Sequence, residues 1–66
     1  MMPRKDGVYE TLSGRRYVVV GVAYDCKTNK QSVVFYRQRR RDEWFTTSLK
    51  TWQQTAMKYV GQMQTI

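Results

Sequence analysis

The chain falls into short β-branched, aromatic and alternating runs bounded by turn signals, the pattern of strands with no long helix between them. Val8, Glu10 and Leu12 alternate with Tyr9 and Thr11, and Ser13-Gly14 follows as a tight-turn signal. Arg16–Tyr24 reads Arg-Tyr-Val-Val-Val-Gly-Val-Ala-Tyr, β-branched or aromatic on both faces. Such a strand belongs at the centre of a sheet that closes or is covered. Gly21 in its middle predicts a bulge or a sharp bend. A polar connection at residues 25–30 precedes a third strand at residues 32–37, where Val33 and Phe35 point one way and Val34 and Tyr36 the other. Residues 37–43 then predict a charged hairpin tip that no Gly or Pro marks, and residues 44–47 a short fourth strand.

The last third supports two readings. Leu49, Trp52, Ala56, Tyr59 or Val60, and Met63 fall at helical spacing, with Ser48 available as an N-cap. This would give a four-stranded antiparallel sheet plus a C-terminal helix from about Ser48. Thr51, Trp52, Thr55, Tyr59 and Val60 are mediocre helix formers, however, and Gly61 interrupts late. One helical turn near residues 49–53, followed by a strand over about residues 57–63, fits as well. Either way the protein is mainly β, and several short strands with no long helix between them predict a small barrel or sandwich. Residues 7–66 make one domain, and residues 1–6, with Pro3 and two basic side chains, read as a flexible basic arm.

Gly7-Val8-Tyr9, Gly14, Tyr17, Val19, Gly21-Val22-Ala23, Thr28, Val33-Val34-Phe35 and Trp44 occur in a familiar order. Over roughly residues 7–47 the chain resembles a small bacterial and phage family of unknown function. That family's pattern runs Gly-x-Tyr-x-His-x-Lys-Gly, Tyr-x-Val, Gly-x-Ala, Glu-Thr, Val-Val-Tyr and Trp-x-Arg-Pro. The resemblance implies an SH3-like barrel of about five strands with a short helical turn before the last, which favours the strand reading of the C-terminus. The polar signature departs from the pattern. Thr11 stands where the family has His, Ser13 where it has Lys, Lys27 where it has Glu, and Thr46-Thr47 where it has Arg-Pro. The apolar scaffold carries over, whereas a site built on those polar groups does not.

Composition narrows the chemistry. The chain has 66 residues, too few for a large enzyme fold, and no histidine, which excludes imidazole acid–base chemistry and histidine metal ligation. The single cysteine, Cys26, cannot close an internal disulfide or build a four-cysteine zinc site. The carboxylates Asp6, Glu10, Asp25, Asp42 and Glu43 are not spaced for a metal, no base stands ready to activate a nucleophile, and no Gly-rich phosphate loop occurs. We therefore expect no enzyme, no cofactor and no metal. No apolar run approaches a membrane span and no signal-peptide layout is present, so a cytoplasmic protein is expected.

Twelve Lys and Arg against five acids give a net charge of +7, an excess that favours an anionic partner. The sharpest local feature is Arg37, Arg39, Arg40 and Arg41, whose planar forks suit phosphate and stack on bases. Strand alternation puts Arg37, Arg39 and Arg41 on one side of a hairpin and Arg40 on the other. Arg15 and Arg16 at the first turn, with Lys27 and Lys30 at the second connection, form a further candidate patch. Nine aromatics supply core and candidate stacking groups. Tyr17, Phe35 and Trp44 are expected in the core. Tyr9, Tyr24, Tyr36, Phe45 and Trp52 are candidates for an exposed surface, with Tyr36, Tyr24 and Trp52 foremost.

The expected function is that of a non-enzymatic accessory protein of phage or prophage type, engaging nucleic acid through its arginine-rich hairpin. Two alternatives use the same residues: a protein-interaction module that blocks the acidic surface of a host defence or replication factor, and a homo-oligomeric sponge for a signalling nucleotide.

Overall fold

The structure is a computed structural model that describes residues 3–55 and 58–63. Its elements run β1 (Gly7–Glu10), β2 (Arg16–Tyr24), β3 (Gln31–Arg37), β4 (Arg40–Ser48), α1 (Leu49–Gln54) and β5 (Lys58–Gln62). The strands form one sheet in the order β4-β3-β2-β1-β5, antiparallel at every junction. Strands β1 to β4 are a meander, and α1 carries the chain back so that β5 pairs with β1. This is a small, mainly β, barrel-like fold of five antiparallel strands with one short helix.

Strand β2 lies at the middle of the sheet and is buried on both sides, as its composition requires. Val19 joins the main core with Tyr9, Val33 and Trp52, while Val18, one position away, is fully buried on the opposite face. Pairing with β3 slips between Val19 and Gly21, so Val20 is an extra residue and the strand bends where a bulge was expected. Aromatic contacts, edge-on, tilted and stacked, knit the core together. Tyr9 meets both Trp52 and Tyr59 at 5.4 Å, Trp52 meets Phe35 at 5.4 Å, and Phe35 meets Tyr17 at 5.1 Å and Phe45 at 5.8 Å.

The C-terminal third resolves in favour of the turn-plus-strand reading. Ser48 caps α1 by accepting from the Thr51 amide at 3.1 Å. The helix ends after six residues, where Thr55 turns its backbone to an extended conformation and bonds its hydroxyl to the Thr51 carbonyl. Only Trp52 is buried on it, too narrow an apolar stripe to sustain a long helix. Ala56 and Met57, on which the expected helix and strand partly rested, lie outside the described residues.

Three expectations are corrected. Trp52, expected on the surface, is only 4% exposed and central to the core, whereas Trp44, expected in the core, is 62% exposed. The α1 turn drops Trp52 onto Tyr9 and Phe35, and Trp44 falls on the outer face because its neighbour Phe45 pairs with inward-facing Phe35. Strand β4 begins at Arg40, so only Gln38 and Arg39 form the turn. Residues 4–6 bond to the strands beside them. The Arg4 amide donates to the Tyr9 hydroxyl, the Asp6 amide to the Val19 carbonyl and the Met63 amide to the Asp6 carbonyl. Met1 and Met2 lie outside the described residues.

Candidate nucleic-acid interface

In an antiparallel meander, alternate turns fall at the same end of the sheet. The β1–β2 turn and the β3–β4 turn are therefore neighbours, and the β2–β3 connection lies at the other end. Tyr17 pairs with Arg37, and the Gln38 amide donates to the Arg16 carbonyl at 3.3 Å, which draws the two turns together. Between them opens a concavity of about 790 Å³, lined by Arg15, Arg16 and Tyr17 from one side and Arg37, Gln38, Arg39 and Arg40 from the other.

Each wall is held by its own backbone. In the first turn the Thr11 amide donates to the Arg15 carbonyl at 2.8 Å, and the Arg15 amide returns a bond to the Thr11 hydroxyl at 3.2 Å. Gly14 sits at a φ of 87°, left-handed backbone that suits glycine, and its amide donates to the Thr11 carbonyl. In the hairpin Arg37 pairs with Arg40, and the next rung pairs Tyr36 with Trp44, so Arg41, Asp42 and Glu43 bulge from β4. The floor is anchored as well, since the Tyr17 ring meets Phe35 edge-on.

The five arginines differ in their partners. Arg16 Nε donates to Glu10 at 3.0 Å, and Arg40 Nη2 donates to Glu43 at 2.6 Å with Asp42 at 3.9 Å. Arg15, Arg37 and Arg39 have no carboxylate partner among the described residues. Arg37 lies over the Phe45 ring, 5.4 Å from its centroid, which orients its guanidinium without neutralising it. Three free guanidinium groups therefore border one open hollow. An oxyanion there can take bidentate hydrogen bonds from more than one side.

The other sequence-derived candidates are placed elsewhere. Arg41 lies on the bulge and is not part of the hollow's lining. Lys27, Lys30 and Tyr24 lie at the opposite end of the β2–β3 hairpin, about 26 Å of strand away for a nine-residue β2. There Asp25 organises the connection by accepting from the Lys27 amide at 2.8 Å and the Thr28 amide at 2.9 Å. These bonds, that from Thr28 foremost, hold the Asp25 carboxyl below its ordinary value. Exposed Cys26 lies in this same loop. Tyr36 is half-buried on the outer face of β3. Trp52 belongs to the core and leaves the candidate set.

Sequence reasoning missed Trp44 as a surface group. Its indole donates to the Arg41 carbonyl at 3.1 Å, and its position opposite Tyr36 puts both on one outer face. Strand period shows only that Phe45 and Trp44 face opposite ways, and the register that pairs Phe45 with Phe35 decides which of them faces the core.

No family model matches the chain, and neither a curated protein nor a solved structure does. No helix among the described residues is long and apolar enough to cross a membrane.

Proposed function

We propose that the protein is a non-enzymatic nucleic-acid-binding module that grips the phosphate backbone in the hollow between its first turn and its β3–β4 hairpin. The observation that carries this reading is the convergence of Arg15, Arg37 and Arg39, none with a carboxylate partner among the described residues, on one concavity beside the paired Arg16 and Arg40. A chain of net charge +7 draws polyanions from a distance, and guanidinium forks at a fixed spacing hold them by their oxygens. The α1 helix is short and packs inward through Trp52, so it offers no helix to read bases in a groove. Binding is then set by backbone charge and shape, with little dependence on sequence.

Affinity for DNA and RNA measured across a salt series tests this. Wild-type binding should weaken steeply, with a log–log slope of about −0.9 per neutralised phosphate on duplex and about −0.7 on single strands. Combining Arg15→Gln, Arg37→Gln and Arg39→Gln should flatten the slope while thermal unfolding stays close to wild type. No binding at ~50 mM salt, or a triple variant that binds like wild type, would overturn the reading.

A further inference from the structure

The outer face of the sheet continues the arginine hollow. On β2 and β3 the pairs Tyr17 with Arg37 and Val18 with Tyr36 are successive rungs, and Tyr36 is in turn paired with Trp44 on β4. Partners across a ladder share a face, as do residues two apart on one strand. Arg16, Val18, Tyr36 and Trp44 therefore lie on the same outer face, with Arg16 at the lip of the hollow. Trp44 is 62% exposed, and it is held by the bond from its indole to the Arg41 carbonyl. The ring is thus fixed by a backbone bond on the face that carries Arg16, while Arg37, paired with Tyr17 and lying over Phe45, turns to the other face at the same end of the sheet.

We infer that Tyr36 and Trp44 form a base-stacking platform, so that the preferred ligand is single-stranded nucleic acid. Its phosphates lie in the hollow, and the bases that follow spread onto the outer face. This inference rests on the nucleic-acid reading above and deepens it. A single strand presents unpaired bases with accessible π-faces beside a flexible charged backbone, matching aromatic rings interleaved with cations. A duplex keeps its bases stacked inside and presents only phosphate and groove edges, leaving Trp44 unused. The concave, corner-like placement of Arg15, Arg37 and Arg39 likewise suits a bendable strand better than a rigid rod.

The test compares a short single-stranded DNA oligonucleotide, its RNA counterpart and the matching DNA duplex at one fixed salt concentration, using the full chain. Trp52 is buried, so a ligand that stacks on the surface changes mainly Trp44 emission. The single strands should bind more tightly than the duplex and quench that emission. Trp44→Ala should weaken single-strand binding about tenfold while leaving duplex binding and the salt slope unchanged, and Trp44→Phe, which keeps a ring but loses the indole bond, should recover most of the loss. Equal or tighter duplex binding, or a Trp44→Ala variant that binds single strands like wild type, would overturn the platform and leave arginine-dependent binding standing. If no nucleic acid binds at all, both readings fall. A Trp44-dependent contact would then have to be sought on an acidic protein.

Discussion

Arg40 donates to Glu43 at 2.6 Å, so the hairpin occupies one of its guanidinium groups with its own carboxylate. Both side chains are about half exposed, and such a pair contributes only about 0–1 kcal/mol to folding. Its larger effect is on the field in the hollow. Glu43→Gln should leave the unfolding midpoint nearly unchanged and free Arg40 for a phosphate. Tighter binding at low salt, with a slope steeper by about 0.7–0.9, is the expected outcome of a salt-series titration.

Trp44 and Trp52 predict opposite responses to truncation. Trp52 touches Tyr9 and Phe35 at the centre of the core, and Trp52→Ala should cost about 3–5 kcal/mol, enough to unfold a domain this small. Trp44→Ala should cost about 0.5 kcal/mol or less, because its ring faces solvent and only one exposed bond is lost. Chemical denaturation of the two variants checks this, and equal losses would contradict the assignment of faces.

Gly7 and Gly21 differ in the same way. A Cβ on Gly7 would sit 2.9 Å from the Arg4 carbonyl oxygen and 3.0 Å from the Tyr9 ring, both fixed by the bond that ties Arg4 to Tyr9. Gly7→Ala should therefore destabilise by about 1–3 kcal/mol. A Cβ on Gly21 meets nothing within 4 Å, and Gly21→Ala should be neutral within about 0.5 kcal/mol although it lies beside the bulge. Thermal melts of both variants decide the matter.

Asp25 gives the far loop a pH dependence. Its carboxyl is held below the ordinary 3.8, chiefly by the Thr28 amide and then by that of Lys27. A folded-state value below the unfolded one means the fold favours the ionised form. That contribution is present above the unfolded value and is lost as pH falls through the folded one. Acidification should therefore loosen residues 25–30, with the Lys27 and Thr28 amide resonances following the Asp25 titration by NMR. Asp25→Asn should abolish that titration and leave the arginine hollow unaltered.

Much of this fold is legible in the residues themselves. The two-faced run Arg16–Tyr24 demands a central strand, Gly21 marks its bend, and Ser48 marks the start of the helix. The two tryptophans were not legible, because alternation shows that Trp44 and Phe45 oppose each other without showing which faces in. The answer comes from the Phe35–Phe45 contact across β3 and β4, a register that the charged bulge at residues 41–43 shifts. The same bulge extends β4 back to Arg40, where a run of charge reads as loop. The grouping of the basic turns, by contrast, follows from connectivity alone once the meander is accepted. Its first and third turns must share an end, so Arg15 and Arg16 join Arg37, Arg39 and Arg40, and Lys27 and Lys30 do not.

The most direct measurement of the central claim is an amide chemical-shift titration of the intact protein with single-stranded DNA at low salt. The account predicts that perturbations concentrate at residues 14–17 and 36–44, while those of Lys27, Lys30 and Tyr24 stay put. Shifts centred on residues 24–30, or spread evenly over every basic residue, would contradict it.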